Sequence, residues 1–450
     1  MNPSHEGASP DDKAALPPAW QRFLAKKTQA ITQAGLWRTI DAIDDAPGPA
    51  VKMAGQELLL FCSNNYLGLA SDPRLATAAS AAAQRYGVGS GASRLLSGSG
   101  PLHGELERRL ARLKGCEDCV LFGSGYLANV GTLAALLEPG DTVLSDRLNH
   151  ASIIDGCRLS GAKIEIYPHR DTDAVERILR TAQGRVLIVT DTIFSMDGDL
   201  APLPQLCALA KAHGALLMVD EAHATGVLGA GAIAHCGLSG EVPVVMGTCS
   251  KALGSLGGFI AGSRLLCNYL RQRARTFFFD TALPPPVLAA TLTAVDIIEQ
   301  EPQHGLRVLA LAQRVYQRLA ELGFSVLPPS GAIVPVLCAL EAAGLVGGLG
   351  MAPGLCIGDG DVAMAQATHG SAPDIAGRGI ANPYAMIEST RMMFEWLGHS
   401  RANPGAVQMA HRMQAATTAA LADATARTGD IRGQGNTASF TQAILRHIGA

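Results

Sequence analysis

The chain has 450 residues, of which 48% are hydrophobic and 17% charged, and its formal net charge is −3. These values indicate a globular protein of two or three domains with a large buried interior. Because no long basic run occurs, the sequence excludes a nucleic-acid surface or a docking patch for anionic membranes.

The polar residues 1–18 predict a flexible tail without a signal peptide. From residue 58 to 265, short apolar runs alternate with helical patterns, and the strand-length runs are 119–122, 142–145, 185–190, 216–219 and 242–246. This rhythm predicts βαβ units in a mainly parallel sheet with helices on both faces. In such sheets, ligands bind where the strands end.

A long helical pattern, 286–322, comes next, and 324–327 and 333–337 are predicted strands of a second domain. The stretch 344–383 is rich in Gly, Ala and Pro, and helical patterns follow it near 384–397 and 404–428. Uncharged stretches in this half of the chain are broken by Gly and Pro, so they predict buried strands and turns rather than membrane spans.

Ten cysteines are scattered along the chain, and only Cys116 and Cys119 have the spacing of a CxxC pair. No second pair completes a zinc site, so the pattern indicates reduced thiols in a cytoplasmic protein and no bound metal.

An acidic residue ends one predicted strand, since Asp220 follows the apolar run 216–219 and His223 comes three residues later. A buried carboxylate at a strand end needs a cationic partner, and the pyridinium nitrogen of pyridoxal phosphate (PLP) is one. His223 could then reach the ring hydroxyl or a substrate. Taken alone, this spacing favours an ordinary strand-terminal Asp with a surface His.

A lysine among small residues follows the run 242–246, in the segment Gly247-Thr248-Cys249-Ser250-Lys251. Lys251 has room for an aldehyde adduct, and desolvation would lower its pKa and make it nucleophilic. Thr248 is suitably spaced for a phosphate oxygen. A solvated loop lysine is the simpler interpretation of Lys251 alone, but Asp220 shifts the balance towards PLP.

Two further strand ends carry candidate residues. Gly123-Ser124-Gly125 leads from a strand into a helix, where free backbone N–H groups and the helix dipole favour a phosphate. His150 follows the run 142–145 and could stack on a pyridine face. Taken alone, the glycine-rich segment is only weak evidence against an ordinary tight turn, and a lone histidine is more often structural.

The motifs occur in a characteristic order: NNYLGL at 64–69, GSGASRLLSGSGPLHG at 89–104, DTIFSMDGD at 191–199, DEAHATG at 220–226 and TCSKALGSLGG at 248–258. With them, residues 20–337 resemble the α-oxoamine synthases, a branch of the fold-type I PLP enzymes. The resemblance implies an α/β fold of the aspartate aminotransferase type, with a mainly parallel seven-stranded sheet in the large domain. It also implies a homodimer with active sites at its interface.

The resemblance gives the catalytic residues their roles. Lys251 would carry PLP as a Schiff base and act as general base, and Asp220 would hold the pyridinium nitrogen. His150 would stack on the ring, with His223 and Ser195 near the ring hydroxyl. The implied reaction condenses a small amino acid with an acyl thioester, commonly an acyl-CoA, with loss of CO₂.

The same resemblance implies two groups of binding residues. The phosphate would be held by Gly125, Tyr126 and Thr248, joined by Thr281 of the partner subunit. The substrate pocket would be lined by Asn65, Tyr66 and His103.

The pattern breaks after residue 337, where the family's small domain and its carboxylate-binding arginine are not found. Residues 344–398 are instead similar to the C-terminal part of the isocitrate and isopropylmalate dehydrogenases, through GGLGMAP at 347–353, ATHGSAPDIAG at 367–377 and IANP at 380–383. There, the positions of 369–373 and Asn382 contact the adenosine part of NAD(P). Gln366 stands where Glu is usual, and the catalytic and metal-binding residues have no counterpart.

Four parts are therefore predicted: a tail and helix at 1–55, a PLP-binding domain at 56–285, a linker helix and partial small domain at 286–340, and a dehydrogenase-like, atypical α/β segment at 341–450. Arg378, Arg391 and Arg401 are candidate substitutes for the missing arginine. An active synthase is the first hypothesis, and a PLP-binding protein with lost or altered catalysis is the alternative. Dehydrogenase activity is not expected, because the metal-binding aspartates are missing.

Overall fold

A computed structural model of the protein describes residues 16–33, 37–38, 40, 42–44, 46–53, 55–321, 324, 326–335, 353–357, 363–367, 378–431 and 433–448. The chain divides into two compact units, one comprising 42–336 and the other comprising 1–41 with 337–450. The four-part division from the sequence stays a prediction.

A seven-stranded sheet forms the centre of the unit 42–336, in the order β3-β9-β8-β7-β6-β4-β5. Only β9 runs antiparallel to its neighbours. The strands are β3 (Asp118–Phe122), β4 (Thr142–Asp146), β5 (Lys163–Tyr167), β6 (Val186–Asp191), β7 (Leu216–Asp220), β8 (Val244–Thr248) and β9 (Gly258–Gly262), with a separate hairpin of β1 (Ala50–Met53) and β2 (Gln56–Leu59). The predicted fold class is confirmed.

Both faces of this sheet are buried, which explains the continuous apolar runs in the sequence. Along β7, Leu217 and Val219 pack into one hydrophobic cluster, and Met218 packs into the other on the opposite face. This alternation follows from the two-residue period of a strand. The site residues therefore project from strand ends that are rigidly packed on both sides.

Helices cover the two faces of the sheet. They are α2 (Pro73–Tyr86), α3 (Pro101–Lys114), α4 (Gly125–Leu136), α5 (Ala151–Ser160), α6 (Thr172–Leu179), α7 (Leu203–His213), α8 (Ala232–His235), α9 (Arg264–Arg273), α10 (Arg275–Phe278), α11 (Pro285–Gln300) and α12 (Gln303–Glu321), preceded in the other unit by α1 (Pro18–Gln33). The single helix predicted over 286–322 is in fact α11 and α12. The break falls at Pro302, which lacks the N–H needed to continue a helix.

Two predicted strands are wrong as far as the structure describes them. Residues 324, 326–327 and 333–335 are not in strands, because apolar β-branched composition alone does not supply a ladder partner. Conversely, the sequence analysis missed β5 and β9. Strand β5 lies at the edge of the sheet and is only partly buried, and β9 contains two glycines.

The C-terminal residues form a smaller α/β arrangement. Strands β10 (Pro353–Ile357) and β11 (Ala363–Ala367) pair antiparallel, and α13 (Tyr384–Ser400), α14 (Pro404–Ala422) and α15 (Thr437–Ile448) follow. A small core contains Ala416, Ala420, Phe440 and Ile444. Across the described part of the chain, every helix is too short or too polar to cross a membrane.

Candidate active site

The carboxyl ends of the parallel strands converge on one cavity of about 190 Å³. Its lining unites segments that are far apart in sequence: Ser124, Gly125, Tyr126, Asn129, His150, Ser152, Asp191, Asp220, Ala222, His223, Met246, Thr248, Ser250 and Lys251. Seven of the twelve residues predicted for the site therefore lie together.

Asp220 lies at the end of β7, is 4% exposed and accepts two hydrogen bonds. The side-chain amide of Asn129 donates to one oxygen at 2.7 Å, and the backbone N–H of Ala222 donates to the other at 2.8 Å. These donors fix a carboxylate that has no cationic side chain hydrogen-bonded to it among the described residues. A protonated ring nitrogen would supply the missing positive charge.

Lys251 and His223 contact each other directly, since Lys251 Nζ lies 2.6 Å from His223 Nε2. Burial lowers the pKa of Lys251 below its ordinary range, although Asp220 and Asp191 oppose that shift. Burial, with help from Lys251 and His150, lowers the pKa of His223 to about 3. The cavity therefore favours a neutral imidazole and makes the amine easier to deprotonate.

The first turn of α4 borders the cavity beside Thr248. Ser124 caps this helix, and its hydroxyl accepts the backbone N–H of Leu127 at 3.1 Å. Gly125 allows close packing, because a Cβ there would lie 2.9 Å from Met246 and 3.3 Å from Thr248. Backbone N–H groups and the Thr248 hydroxyl thus surround a space that suits a phosphate. The Tyr126 hydroxyl is engaged elsewhere, since it donates to Asp155 at 2.6 Å.

His150 caps α5 at the next strand end. Its Nδ1 accepts the backbone N–H of Ser152 at 3.2 Å, and its own backbone N–H donates to Asp191 at 2.8 Å. The imidazole is exposed at the rim of the cavity, where a flat ring could stack on it.

Asp191 is a site residue that the sequence analysis missed. It ends β6 in direct register with Asp220 at the end of β7. Burial and the neighbouring Asp220 raise the pKa of Asp191 well above its usual range. The signal was available, since Asp191 follows an apolar strand just as Asp220 does. Asn129 and Ser152 were missed because they lie in helices, where no strand end marks a residue as a candidate.

The other five predicted residues do not line this cavity. Tyr66 reaches the site indirectly, through a 2.7 Å hydrogen bond between its hydroxyl and His223 Nδ1. Asn65 accepts the backbone N–H of Ala70, and His103 is buried at the start of α3. Thr281 pairs with Ser93 in a short β-bridge, and Ser195 lies in the segment after β6. The roles assigned to all five stay predictions.

The candidate residues of the tail belong to the other compact unit. Arg391 is paired with Glu388 and Glu395 of its own helix, and Asn382 accepts the backbone N–H of Tyr384 at 3.0 Å. Arg378 and Arg401 also have partners. Residues 369–373 lie outside the described residues, and the side chain of Gln366 is likewise not described.

PLP fits this set of groups. Its pyridinium matches the fixed carboxylate, and its aldehyde matches the amine in the desolvated pocket. Its ring matches the imidazole at the rim, and its phosphate matches the helix N-terminus. The fold and the site together define a PLP-dependent enzyme of fold type I.

Comparison with known proteins agrees with this class. Residues 56–343 match the family described as aminotransferase class I and II, and residues 339–444 match isocitrate/isopropylmalate dehydrogenase. The 8-amino-7-oxononanoate synthase of Anaeromyxobacter dehalogenans is 49% identical over 327 residues, which is 72% of this chain and 82% of that protein. That of Geobacter sulfurreducens is 49% identical over 70% of this chain and 83% of its own length.

Solved structures show the same likeness. Sphingomonas wittichii serine palmitoyltransferase has a TM-score of 0.65 and 29% identity, and the match covers 71% of this chain and 81% of that one. The 8-amino-7-oxononanoate synthase of Francisella tularensis has a TM-score of 0.51 and 28% identity, over 58% of this chain and 75% of that one. The chain belongs to the class I and II aminotransferase family, in the α-oxoamine synthase branch, and is a PLP-dependent acyltransferase.

Proposed function

We propose that the chain condenses alanine with a pimeloyl thioester to form 8-amino-7-oxononanoate. Relatives that make this product are 49% identical over most of their length. The product's chemistry names the substrates, because its C8, C9 and nitrogen correspond to decarboxylated alanine. Its other seven carbons correspond to a pimeloyl group. The cavity around Lys251 is the observation that carries the proposal.

When bound, PLP supplies an aldehyde for the amino acid and a ring that stores the electron pair released at the α-carbon. Lys251 would remove the α-proton, a task suited to an amine whose pKa burial has lowered. Asp220 would hold the proton on the ring nitrogen, with Asn129 and Ala222 orienting the carboxylate. The new C–C bond would form as the thiolate leaves, and loss of CO₂ from the former amino acid would be balanced by a proton returned to its α-carbon.

The alternative, a PLP-binding protein with lost or altered catalysis, also has an observation in its favour. Among the described residues that line the cavity, none is an arginine. A substrate carboxylate would therefore lack a bidentate partner there, and such pairs are strong. The resemblance places the arginine that would bind this carboxylate after residue 337. Residues 339–444 instead match a dehydrogenase family.

A single titration separates the two. The PLP-loaded protein is mixed with alanine, glycine or serine, with and without pimeloyl-CoA, while visible absorption and free CoA thiol are followed. CoA release that requires alanine supports the synthase. An absorption change without CoA release from any pair favours the alternative, and Lys251→Ala serves as the control for both signals.

We also propose a homodimer in the cytoplasm. Four large apolar side chains within the 89–104 motif, next to it or near Thr281 are more than half exposed: Val88, Leu95, Leu96 and Phe279. Exposed apolar groups clustered around a motif are typical of a protein interface. The free thiols of the described cysteines fit a reducing compartment. Light scattering at several concentrations tests the dimer, and a monomer at all of them would overturn it.

A further inference from the structure

His169 lies between two segments that carry candidate residues of the cofactor site. Its Nδ1 lies 3.0 Å from Asp146 Oδ1, and its Nε2 lies 3.0 Å from Asp199 Oδ2. Asp146 ends β4 and stands four positions before His150. Asp199 lies in the loop after β6 and stands four positions after Ser195. One imidazole therefore spans the two segments.

The carboxylate of Asp146 shapes the turn that leads to His150. It is 2% exposed, and its two oxygens accept the backbone N–H groups of Leu148 and Arg170, each at 2.9 Å. The backbone N–H of Asn149 donates to the Asp146 carbonyl at 3.1 Å. A shift of Asp146 would therefore shift the backbone that carries His150.

The loop that contains Ser195 is closed on itself next to Asp199. The backbone N–H of Phe194 donates to the Asp199 carbonyl at 3.1 Å, and that of Gly198 donates to the Phe194 carbonyl at 2.9 Å. The Phe194 ring also meets His169 edge to face, with ring centroids 4.4 Å apart. His169 thus contacts this loop both at its carboxylate and at the residue before Ser195.

The two partners of His169 require both of its ring nitrogens to be donors. Asp146 and Asp199 accept further N–H groups, as ionised carboxylates do, and the Arg170 guanidinium donates to Asp199 at 2.9 Å. An ionised carboxylate only accepts, and a neutral imidazole has a single N–H. Only the doubly protonated ring therefore satisfies both contacts. Although burial opposes the change, the hydrogen bonds to Asp146 and Asp199 raise the pKa of His169 above its ordinary value.

The charges around the ring favour the same form. Three carboxylates face it among the described residues, one at the end of β4 and two in the loop after β6, together with one guanidinium: Asp146, Asp197, Asp199 and Arg170. This set has an excess of negative charge, which an imidazolium reduces. The side chain of His169 is only 16% exposed, so water screens these charges weakly.

We propose that His169 is a positioning residue that, as an imidazolium, ties the turn carrying His150 to the loop carrying Ser195. The two segments also meet where the backbone N–H of His150 donates to Asp191. His169 adds a second connection, and two connections fix the relative orientation of the segments better than one. Loss of the ring proton removes one carboxylate contact, so the site should then bind PLP more weakly.

The direction of the pH dependence follows from the raised pKa of His169. The contribution of the imidazolium is complete below the ordinary histidine pKa of about 6.5, and it is lost as the pH rises through the higher pKa of the native ring. The proposal rests on the proposed function only in assigning the cavity to PLP.

The proton count can be measured directly in the full chain. Protein labelled with ¹⁵N-histidine is titrated and followed by long-range ¹H–¹⁵N correlation spectra, with His169→Gln used to assign the signal. At about pH 6.5, where an ordinary histidine is half protonated, His169 should be mainly doubly protonated, and its midpoint should lie higher. A ring that is mainly neutral at this pH overturns the proposal.

Absorbance titrations with PLP across the same pH range test the positioning role. His169→Gln keeps an amide donor but carries no charge, so at about pH 6.5 it should bind PLP roughly tenfold more weakly than the wild type. The deficit should shrink above the wild-type midpoint, where the wild type has lost the same proton. His304→Gln is the matched control, since His304 pairs with Glu301 and does not line the cavity. No deficit, or one that is equal at every pH, overturns the role of His169.

Asp199→Asn makes a smaller change to the same contact. Its amide oxygen still accepts a hydrogen bond, but a negative charge beside the ring is lost. The His169 midpoint should therefore fall, and the pH at which PLP binding weakens should fall with it. Asp173→Asn, which removes an exposed carboxylate from the first turn of α6, is the control.

An unchanged midpoint in Asp199→Asn overturns the assignment of the ring to this pair of carboxylates. Neither the proton count nor the PLP affinity needs a substrate. A protein that released no CoA would therefore refute the proposed function and leave both results readable.

Discussion

A buried ion pair behind the active site gives the sharpest test of how this site is held. Lys114 ends α3, and its side chain is 2% exposed, while that of Glu221, next to Asp220, is 1% exposed. Lys114 Nζ lies 2.5 Å from Glu221 and also donates to Thr225 at 2.7 Å and to the carbonyl of Ala230. The other Glu221 oxygen accepts the backbone N–H of Ile233 at 2.8 Å.

Lys114→Met should therefore be strongly destabilising. Met retains most of the aliphatic volume, so the cost comes mainly from leaving Glu221 charged and unpaired, which is typically about 3–5 kcal/mol. For a unit of this size, that corresponds to a fall in Tm of roughly 5–10 °C. PLP should also bind more weakly, because Glu221 anchors the turn between Asp220 and His223.

Differential scanning calorimetry of the PLP-saturated protein measures the effect. Lys163→Met is the matched control, since its pair with Glu165 is solvent-exposed and contributes little. Lys114→Met combined with Glu221→Gln removes the buried charge but keeps an acceptor for Ile233, so most of the lost stability should return. If Lys114→Met and Lys163→Met had the same Tm, the Lys114–Glu221 pair would not be shielded from water and the reasoning would be wrong.

Three further predictions concern the cofactor cavity. Asp220→Asn should weaken PLP binding by on the order of 10- to 100-fold, because a charge-assisted contact is lost, and an absorbance titration measures this; unchanged affinity would mean that the ring nitrogen lies elsewhere. Gly258→Ala should also weaken binding, since its Cβ would lie 2.4 Å from the Ser124 carbonyl and displace the start of α4. The same titration checks it, with Gly429→Ala as the control, because a Cβ at Gly429 would meet nothing within 4 Å. In cofactor-free protein, stability should fall as pH drops from about 6.5 towards 3, because the unfolded chain protonates His223 while the native pKa of about 3 keeps it neutral. Urea unfolding of wild type and His223→Gln measures this, and equal pH slopes would contradict it.

The sequence alone determined the chemistry. Asp220 after an apolar strand and Lys251 among small residues predicted the cofactor, and the order of motifs predicted the family, both confirmed by the comparisons. It also predicted the change of texture after residue 337, where the match to a dehydrogenase family begins at 339. These features can be predicted from the sequence because strand periodicity and strand-end residues are local properties.

Only the tertiary structure decided which residues meet. Asp191 joins Asp220 through the parallel register of β6 and β7, and Asn129 reaches Asp220 from α4 across 91 positions of sequence. Lys114 supports the same turn from 107 positions away. Such contacts depend on how the helices and strands pack. The spacing of residues along the chain does not show which of them come close together in space. The partners of a side chain, and through them the protonation states of Lys251 and His223, therefore became visible only once the strands were assembled.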